Sequence, residues 1–211
     1  MSLNVDGLTY RFGDRVAIHQ VSFSVPPGQI VGLFGSNGAG KSTLMRALCG
    51  LLAPAAGTVE IAGFDLARDA APARAHIGYV AQPFGLYDDL SVSENLNFYG
   101  RAYGLATSLA ATRAADSLLR FGLDSRKHDR TGSLSHGWRQ RVAVASALLH
   151  HPRVLLLDEA SAGLDADARR HLWIVLEEEA DRGAAILIST HSLDEVQHCT
   201  RVLRLEQGQL I

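Results

Sequence analysis

The sequence predicts an α/β protein: a core of parallel strands, an N-terminal antiparallel β subdomain and an inserted helical segment. Three observations predict it. Residues 29–34, 154–157 and 184–188 are continuous apolar runs, the pattern of strands buried on both faces. Most of the first 65 residues instead alternate apolar with polar over short stretches broken by turns. The middle of the chain carries apolar residues at helical spacing.

Taken in order, Val21, Phe23 and Val25 interleave with Ser22 and Ser24, and Val59 and Ile61 flank Glu60, as in half-buried antiparallel strands. Pro26, Pro27 and Gly28 break the chain before the first buried strand. Leu109, Ala114, Leu118 and Phe121 predict a helix over 107–121, and Val142, Ala145 and Leu149 one over 138–149. Asp165 can cap a helix over 166–182 that Gly183 ends. Repeats, low-complexity tracts and linkers are absent from the sequence, so residues 1–211 read as one domain. Within it, 1–88 and 150–211 form the core and 89–149 the helical subdomain.

The chain has 211 residues, 22 acidic and 20 basic, with a formal charge of −2. That balance disfavours nucleic acid as a partner, because neutralising a phosphate backbone calls for a basic excess. Cys49 and Cys199 are too few and too far apart for a disulfide framework or a metal cluster, which suits a reducing compartment. They read as small buried apolar residues. The sequence has neither a membrane-length apolar stretch nor a secretion signal after Met1, so the expected chain is neither membrane-spanning nor exported.

Gly35, Ser36, Asn37, Gly38, Ala39, Gly40, Lys41 and Ser42 match the phosphate-binding pattern of Gly, four residues, Gly-Lys and Ser or Thr. The loop follows a buried strand and Thr43 continues it into a helical pattern. Backbone amides and the helix N-terminus attract phosphate oxygens, Lys41 adds a point charge, and Ser42 offers a hydroxyl to Mg²⁺. At this chain's composition a chance match arises roughly 2 times in 1,000. Only Lys41 and Lys127 are lysines, and one of them stands where the pattern needs it.

A second apolar strand ends in Asp158 and Glu159, where the first acid can hold a phosphate-bound Mg²⁺ through water and the second can polarise an attacking water. Upstream, Leu134-Ser135-His136-Gly137-Trp138-Arg139-Gln140-Arg141 resembles the signature motif of ABC ATPases, usually Leu-Ser-Gly-Gly-Gln before a basic residue, Gln and Arg. The phosphate loop, Gln82, Gly163-Leu164-Asp165 and Ser189-Thr190-His191 complete that family's motif set in order, over essentially the whole chain. The resemblance implies a P-loop NTPase (RecA-like) core with an inserted α-helical signature subdomain.

It also implies roles. The loop residues through Thr43 hold ATP; Ser42, Gln82 and Asp158 serve Mg²⁺, and Gln82 also contacts the attacking water; Glu159 is the general base; His191 contacts the γ-phosphate. Phe12, in a Phe-Gly pair, stacks on adenine, with Tyr10 more a core aromatic that could face the same side. Ser135 and Gly137 meet the nucleotide of a second subunit and Asp165 crosses the same interface, so the chain works as a head-to-tail homodimer or as a heterodimer with a related subunit. His136 in place of glycine either crowds that approach or, if protonated, adds charge. Trp138 resembles a variant of exporter-type subunits.

Residues 83–134 are too few for the coiled coil of chromosome-maintenance or recombination-repair relatives, and translation-factor relatives usually carry two cassettes. The expected function is therefore ATP hydrolysis that powers a separate integral membrane permease, for export. The enzyme would lie on the cytoplasmic face of the cell membrane through that permease. The aromatic-rich residues 83–100 supply the docking segment, some of their rings buried in the helical subdomain. They resemble the segment of exporters for drugs, antibiotics or polysaccharides; haem exporters also fit in length. A soluble ATP-dependent switch is the alternative.

Overall fold

The computed structural model describes residues 2–211. Its strands are β1 (Leu3–Phe12), β2 (Arg15–Val25), β3 (Ile30–Phe34), β4 (Ala56–Ile61), β5 (Phe64–Asp65), β6 (Ile77–Val80), β7 (Val154–Asp158), β8 (Ala185–Thr190), β9 (Arg201–Glu206) and β10 (Gln209–Leu210). The first sheet is antiparallel, in the order β2-β1-β4-β5. The second runs β10-β9-β3-β8-β7-β6 and is parallel except at its β10 edge.

Strand residues divide between two cores by parity, as the pleat requires. In β7, Val154 and Leu156 face a core shared with the antiparallel sheet and helix α1 (Lys41–Leu48), whereas Leu155 and Leu157 face the other helices. Ala185 and Leu187 of β8 separate from Ile186 and Ile188 in the same way. Burial on both faces is why these strands read as unbroken apolar runs. The Asp65–Arg74 region adds a one-turn helix α2 (Ala70–Arg74) beside β5.

Between the neighbouring strands β6 and β7 the chain inserts α3 (Val92–Ala102), α4 (Thr107–Arg120) and α5 (His136–Leu148). In α4 the buried stripe is Ala110, Ala114 and Leu118, and Leu109, expected on that stripe, is exposed. The i, i+4 series selects a face that excludes position 109. Helix α5 starts two residues earlier than its apolar spacing suggests: Ser135 is the last residue with an extended backbone, and the helix includes His136 and Gly137. The α5 backbone lies so close to β6 that a Cβ on Gly78 would stand 2.4 Å from the Ala147 carbonyl oxygen. After β7, α6 (Ala166–Asp181) starts at Asp165, whose carboxylate accepts a bond from Ala168 N at 2.8 Å. A single turn α7 (Leu193–Val196) follows β8.

Helix α3 begins at a capping box: Ser91 Oγ accepts from Glu94 N, and the Glu94 carboxylate accepts from Ser91 N. One turn on, Asn95 is wholly buried. Its amide donates to the carbonyls of Tyr87 and Ser91 and to Thr131 Oγ1, and its oxygen accepts from Tyr87 N at 3.0 Å. One side chain therefore ties the segment before α3 to the segment before α5. Cys49 is buried and Cys199 half-buried; burial pushes both thiols up, Cys199 to about 11 with help from Glu195.

Two stability outcomes follow from these contacts. Asn95→Leu keeps the volume but leaves the Tyr87 amide unpaired, a loss of roughly 1–3 kcal/mol, and should lower the thermal midpoint by several degrees; an unchanged midpoint in calorimetry refutes the network. The second concerns pH. His150 stacks on Tyr103 at 3.8 Å and its pKa is lowered from 6.5 to about 4, chiefly by burial. His76, His151 and His171 are lowered for the same reason. The unfolded chain then takes up protons that the folded one refuses, so stability falls as pH drops from 6.5 towards 4. Melting at pH 7.5 and 5.5 should show a lower midpoint in acid, with a smaller gap in His150→Phe.

Candidate functional site

The carboxyl ends of β3, β6, β7 and β8 lie along one edge of the parallel sheet, and the expected site residues follow them. After β3 the loop from Gly35 to Gly40 leads into α1. A Cβ on Gly35 would stand 2.4 Å from the Leu205 carbonyl oxygen, so backbone packing fills the space a side chain would need. Gly40 has φ 107° and would press a Cβ to 2.9 Å from Ile18; it is the N-cap of α1 and caps it with no side chain. The first-turn amides of α1 thus stay available to an anion, with the helix dipole behind them.

Lys41 is buried, and its Nζ donates to the carbonyls of Gly35 at 2.7 Å and Ser36 at 3.2 Å and pairs with Glu159 Oε1 at 3.1 Å. A phosphate approaching the ammonium competes with the Glu159 carboxylate. Glu159 holds φ 49°, in the left-handed region, a cost on the order of 1 kcal/mol for a residue with a side chain. Its amide donates to Ser189 Oγ at 2.9 Å, and Ser189 Oγ donates to Asp158 Oδ1 at 2.7 Å. His191 Nδ1 lies 3.6 Å from Glu159 Oε2 and the imidazole is half exposed. Asp158 is buried, and its Oδ2 has no partner among the described residues.

A cleft of about 860 Å³ opens over the loop. Lining it are Phe12, Asn37, Gly38, Gly40, Lys41, Ser42, Thr43, Gln82 and Glu159. Ser36 is exposed beside it, and Ala39 is buried beneath, its carbonyl accepting from Gly208 N at 2.9 Å. Phe12 is 53% exposed and meets Tyr10 edge-on at 4.9 Å, while Tyr10 packs against the core under the antiparallel sheet. Phe12 is therefore the ring that a base can reach. Arg15, Val16, Gln207 and Gly208 also line the cleft and were not expected. Nothing local in the sequence marks them, since the hairpin and the last strands reach the loop only through tertiary pairing. Ser189 was missed as well, although it heads the Ser-Thr-His run.

Ser135, Gly137 and Asp165 lie apart from this cleft and near one another. A Cβ on Gly137 would touch Ala168 and Leu164, so the start of α5 rests on the start of α6. Ser135 and Asp165 are both exposed there. His136 Nε2 donates to the Ala162 carbonyl at 2.9 Å, and the ring stacks obliquely on Phe84 at 5.1 Å. Its side chain is thus engaged by its own chain. Trp138 is sandwiched between the guanidinium groups of Arg126 at 4.8 Å and Arg141 at 4.9 Å.

The sequence profile of the family described as ABC transporter matches residues 18–162. The chain is 40% identical over 204 residues to the probable multidrug ABC transporter ATP-binding protein YbhF of Escherichia coli K12, covering 97% of this chain and 35% of YbhF. It thus spans about a third of that relative's length. It is 39% identical to the Nod factor export ATP-binding protein I of Paraburkholderia xenovorans, covering 100% of this chain and 69% of that one. The fold superposes with a TM-score of 0.88 and 25% identity on the dimeric post-hydrolysis state of the ATP-binding cassette MJ0796 bound to ADP and Pi, covering 99% of this chain and 96% of that one. With the phosphate loop, the acid pair and the cleft in place, the chain belongs to the ABC transporter family.

Proposed function

We propose that this cassette hydrolyses MgATP in a head-to-tail dimer, homo- or heterodimeric, and drives a separate membrane permease that exports its cargo. The observation that carries the proposal is the Lys41–Glu159–His191 cluster, in which Lys41 and Glu159 line the cleft and His191 stands behind Glu159 in the adjoining cavity. Relatives named for multidrug and Nod factor export support the direction and favour transport over a soluble switch. Among the described residues no helix is long and apolar enough to cross a membrane, so a permease would supply the membrane span and hold the cassette at the cytoplasmic face. In this reading residues 1–88 and 150–211 bind nucleotide, and 89–149 carry the signature surface and the docking segment. Tyr87 and Phe98, both partly exposed and in edge contact at 4.6 Å, would be its apolar face.

The residues do their work in sequence. Phe12 stacks on the adenine, and the loop amides with Lys41 take the phosphates. As Lys41 turns to phosphate, the Glu159 carboxylate is freed to accept a proton from the attacking water, and His191 steadies the γ-phosphate end. Ser135 and Gly137 would complete the partner's site with the N-terminus of α5. Mg²⁺, when bound, would neutralise phosphate charge. Ser42, Gln82 and Asp158 fit a hard, oxygen-seeking ion, since Asp158 Oδ2 is buried and unpartnered. No three His, Cys, Asp or Glu side chains converge on a metal position among the described residues, so the ion would depend on nucleotide oxygens.

Glu159→Gln should keep ATP binding, tighten it several-fold by removing the competitor for Lys41, and cut turnover by about 10²- to 10⁴-fold. Single-turnover hydrolysis and equilibrium binding test this; turnover within twofold of the native rate would overturn the assignment. Phe12→Ala should weaken ATP and GTP alike, by roughly 5- to 100-fold, and leave tripolyphosphate affinity unchanged. Equal weakening of tripolyphosphate would show that Phe12 shapes the loop and does not stack.

A further inference from the structure

One half-buried ion pair, a buried Glu195 facing an Arg169 side chain that is 43% exposed, is unused by the proposed mechanism, on which the following inference rests. Glu195, in the single turn α7 four residues after His191, is only 5% exposed. Its Oε1 stands 4.0 Å from Arg169 Nε on α6, and neither its Oε2 nor Arg169 Nε has a hydrogen-bond partner among the described residues. The other arm of the same guanidinium is engaged: Arg169 Nη2 donates to the Leu164 carbonyl at 3.0 Å, one residue before Asp165. A single side chain thus reaches both the segment that carries His191 and the segment that carries Asp165.

The geometry is that of a pair left partly open. Charge-assisted bonds between a guanidinium and a carboxylate close to about 2.7–2.9 Å, so this one stands about 1 Å short of contact. A buried carboxylate gains from such a pair only when its remaining lone pairs are satisfied, and here Glu195 Oε2 and the facing Arg169 Nε are both left without a partner, although the rest of the guanidinium reaches solvent. There is room to move. A cavity of about 250 Å³ lies between the two segments, lined by Glu159, Ser161, Gly163, Arg169, His191 and Glu195 among others. It shares Glu159 with the nucleotide cleft but none of the phosphate-loop residues.

We infer that Arg169 and Glu195 are positioning residues, whose closure draws α7 towards α6 and fixes His191 against the Asp165 segment when the γ-phosphate end is assembled. They touch no nucleotide; they act through His191. Closing the guanidinium fork also needs its planar geometry, so lysine at 169 keeps the charge but cannot hold Leu164 and Glu195 together.

The test is steady-state ATPase and ATP binding on the full chain. Glu195→Gln, which keeps shape and removes charge, should lower kcat by up to about 100-fold with KM and ATP affinity within twofold of native. Arg169→Lys should do the same, and Arg169→Gln combined with Glu195→Gln should be no worse than either alone. In a His191→Ala background Glu195→Gln should add less than a twofold loss. A Glu195→Gln enzyme with native kcat, losses that multiply with His191→Ala, or a loss of ATP affinity matching the loss of turnover would each overturn the inference. If Glu195→Gln does not fold, Arg169→Lys in the same assays decides. Glu159→Gln run in parallel separates the two levels: if it is inactive while the pair variants are native, the pair has no positioning role; if it is active, the proposed mechanism fails with it.

Discussion

The register of three parallel strands is the constraint on which the site depends. Phe34 of β3 pairs with Thr190 of β8, and Ser189 of β8 pairs with Asp158 of β7, so three segments leave the sheet at one level. The loop with Lys41, the acids and His191 meet because of that alignment. Ser189 makes it chemical, since its hydroxyl donates to Asp158 and accepts from the Glu159 amide. A slip of one residue would turn alternate side chains to the wrong core and separate these groups at once. The double-sided apolar packing of β7 and β8 therefore fixes the geometry of the candidate site as well as a fold.

Legibility in the sequence followed the range of the interactions. The phosphate loop, the acid pair and the Asp165 cap each rest on residues close together along the chain, and the backbone rules that govern them are local. Helix α3 was equally local, because Ser91 and Glu94 spell a capping box ahead of an amphipathic run, but its aromatic content drew the reading towards a docking segment instead. Arg15, Val16, Gln207 and Gly208 could not be read in this way. They reach the cleft because the β1–β2 hairpin and the end of β9 fold over the loop: His19 N bonds to the Gly208 carbonyl, and Gly208 N to Ala39. Only the assembled sheets contain that information.

The departure from the family pattern at His136 illustrates how a substitution can be absorbed. A glycine there would leave the α5 N-terminus bare, whereas the imidazole reaches back 2.9 Å to Ala162 and covers Phe84. It joins the signature turn to the segment between Glu159 and Asp165 and to the residues after Gln82. Trp138, gripped between Arg126 and Arg141, joins α5 to the turn after α4 in the same manner. The signature surface is thus braced by side chains from its own chain, which leaves the exposed Ser135 hydroxyl and the α5 amides as the groups free to meet a partner.

Electrostatics decides how the cleft can switch. Lys41 is too deeply buried to remain without an anion, and Glu159 supplies one at 3.1 Å. The pairing solves a stability problem, yet it ties up the carboxylate proposed as the general base. A polyphosphate carries more charge than a single carboxylate and is also met by the α1 N-terminus, so it is the stronger partner for Lys41. Glu159 then has only His191, at 3.6 Å, and solvent to answer to. In the proposed mechanism, nucleotide binding and activation of the base are thus one exchange of partners at a single ammonium.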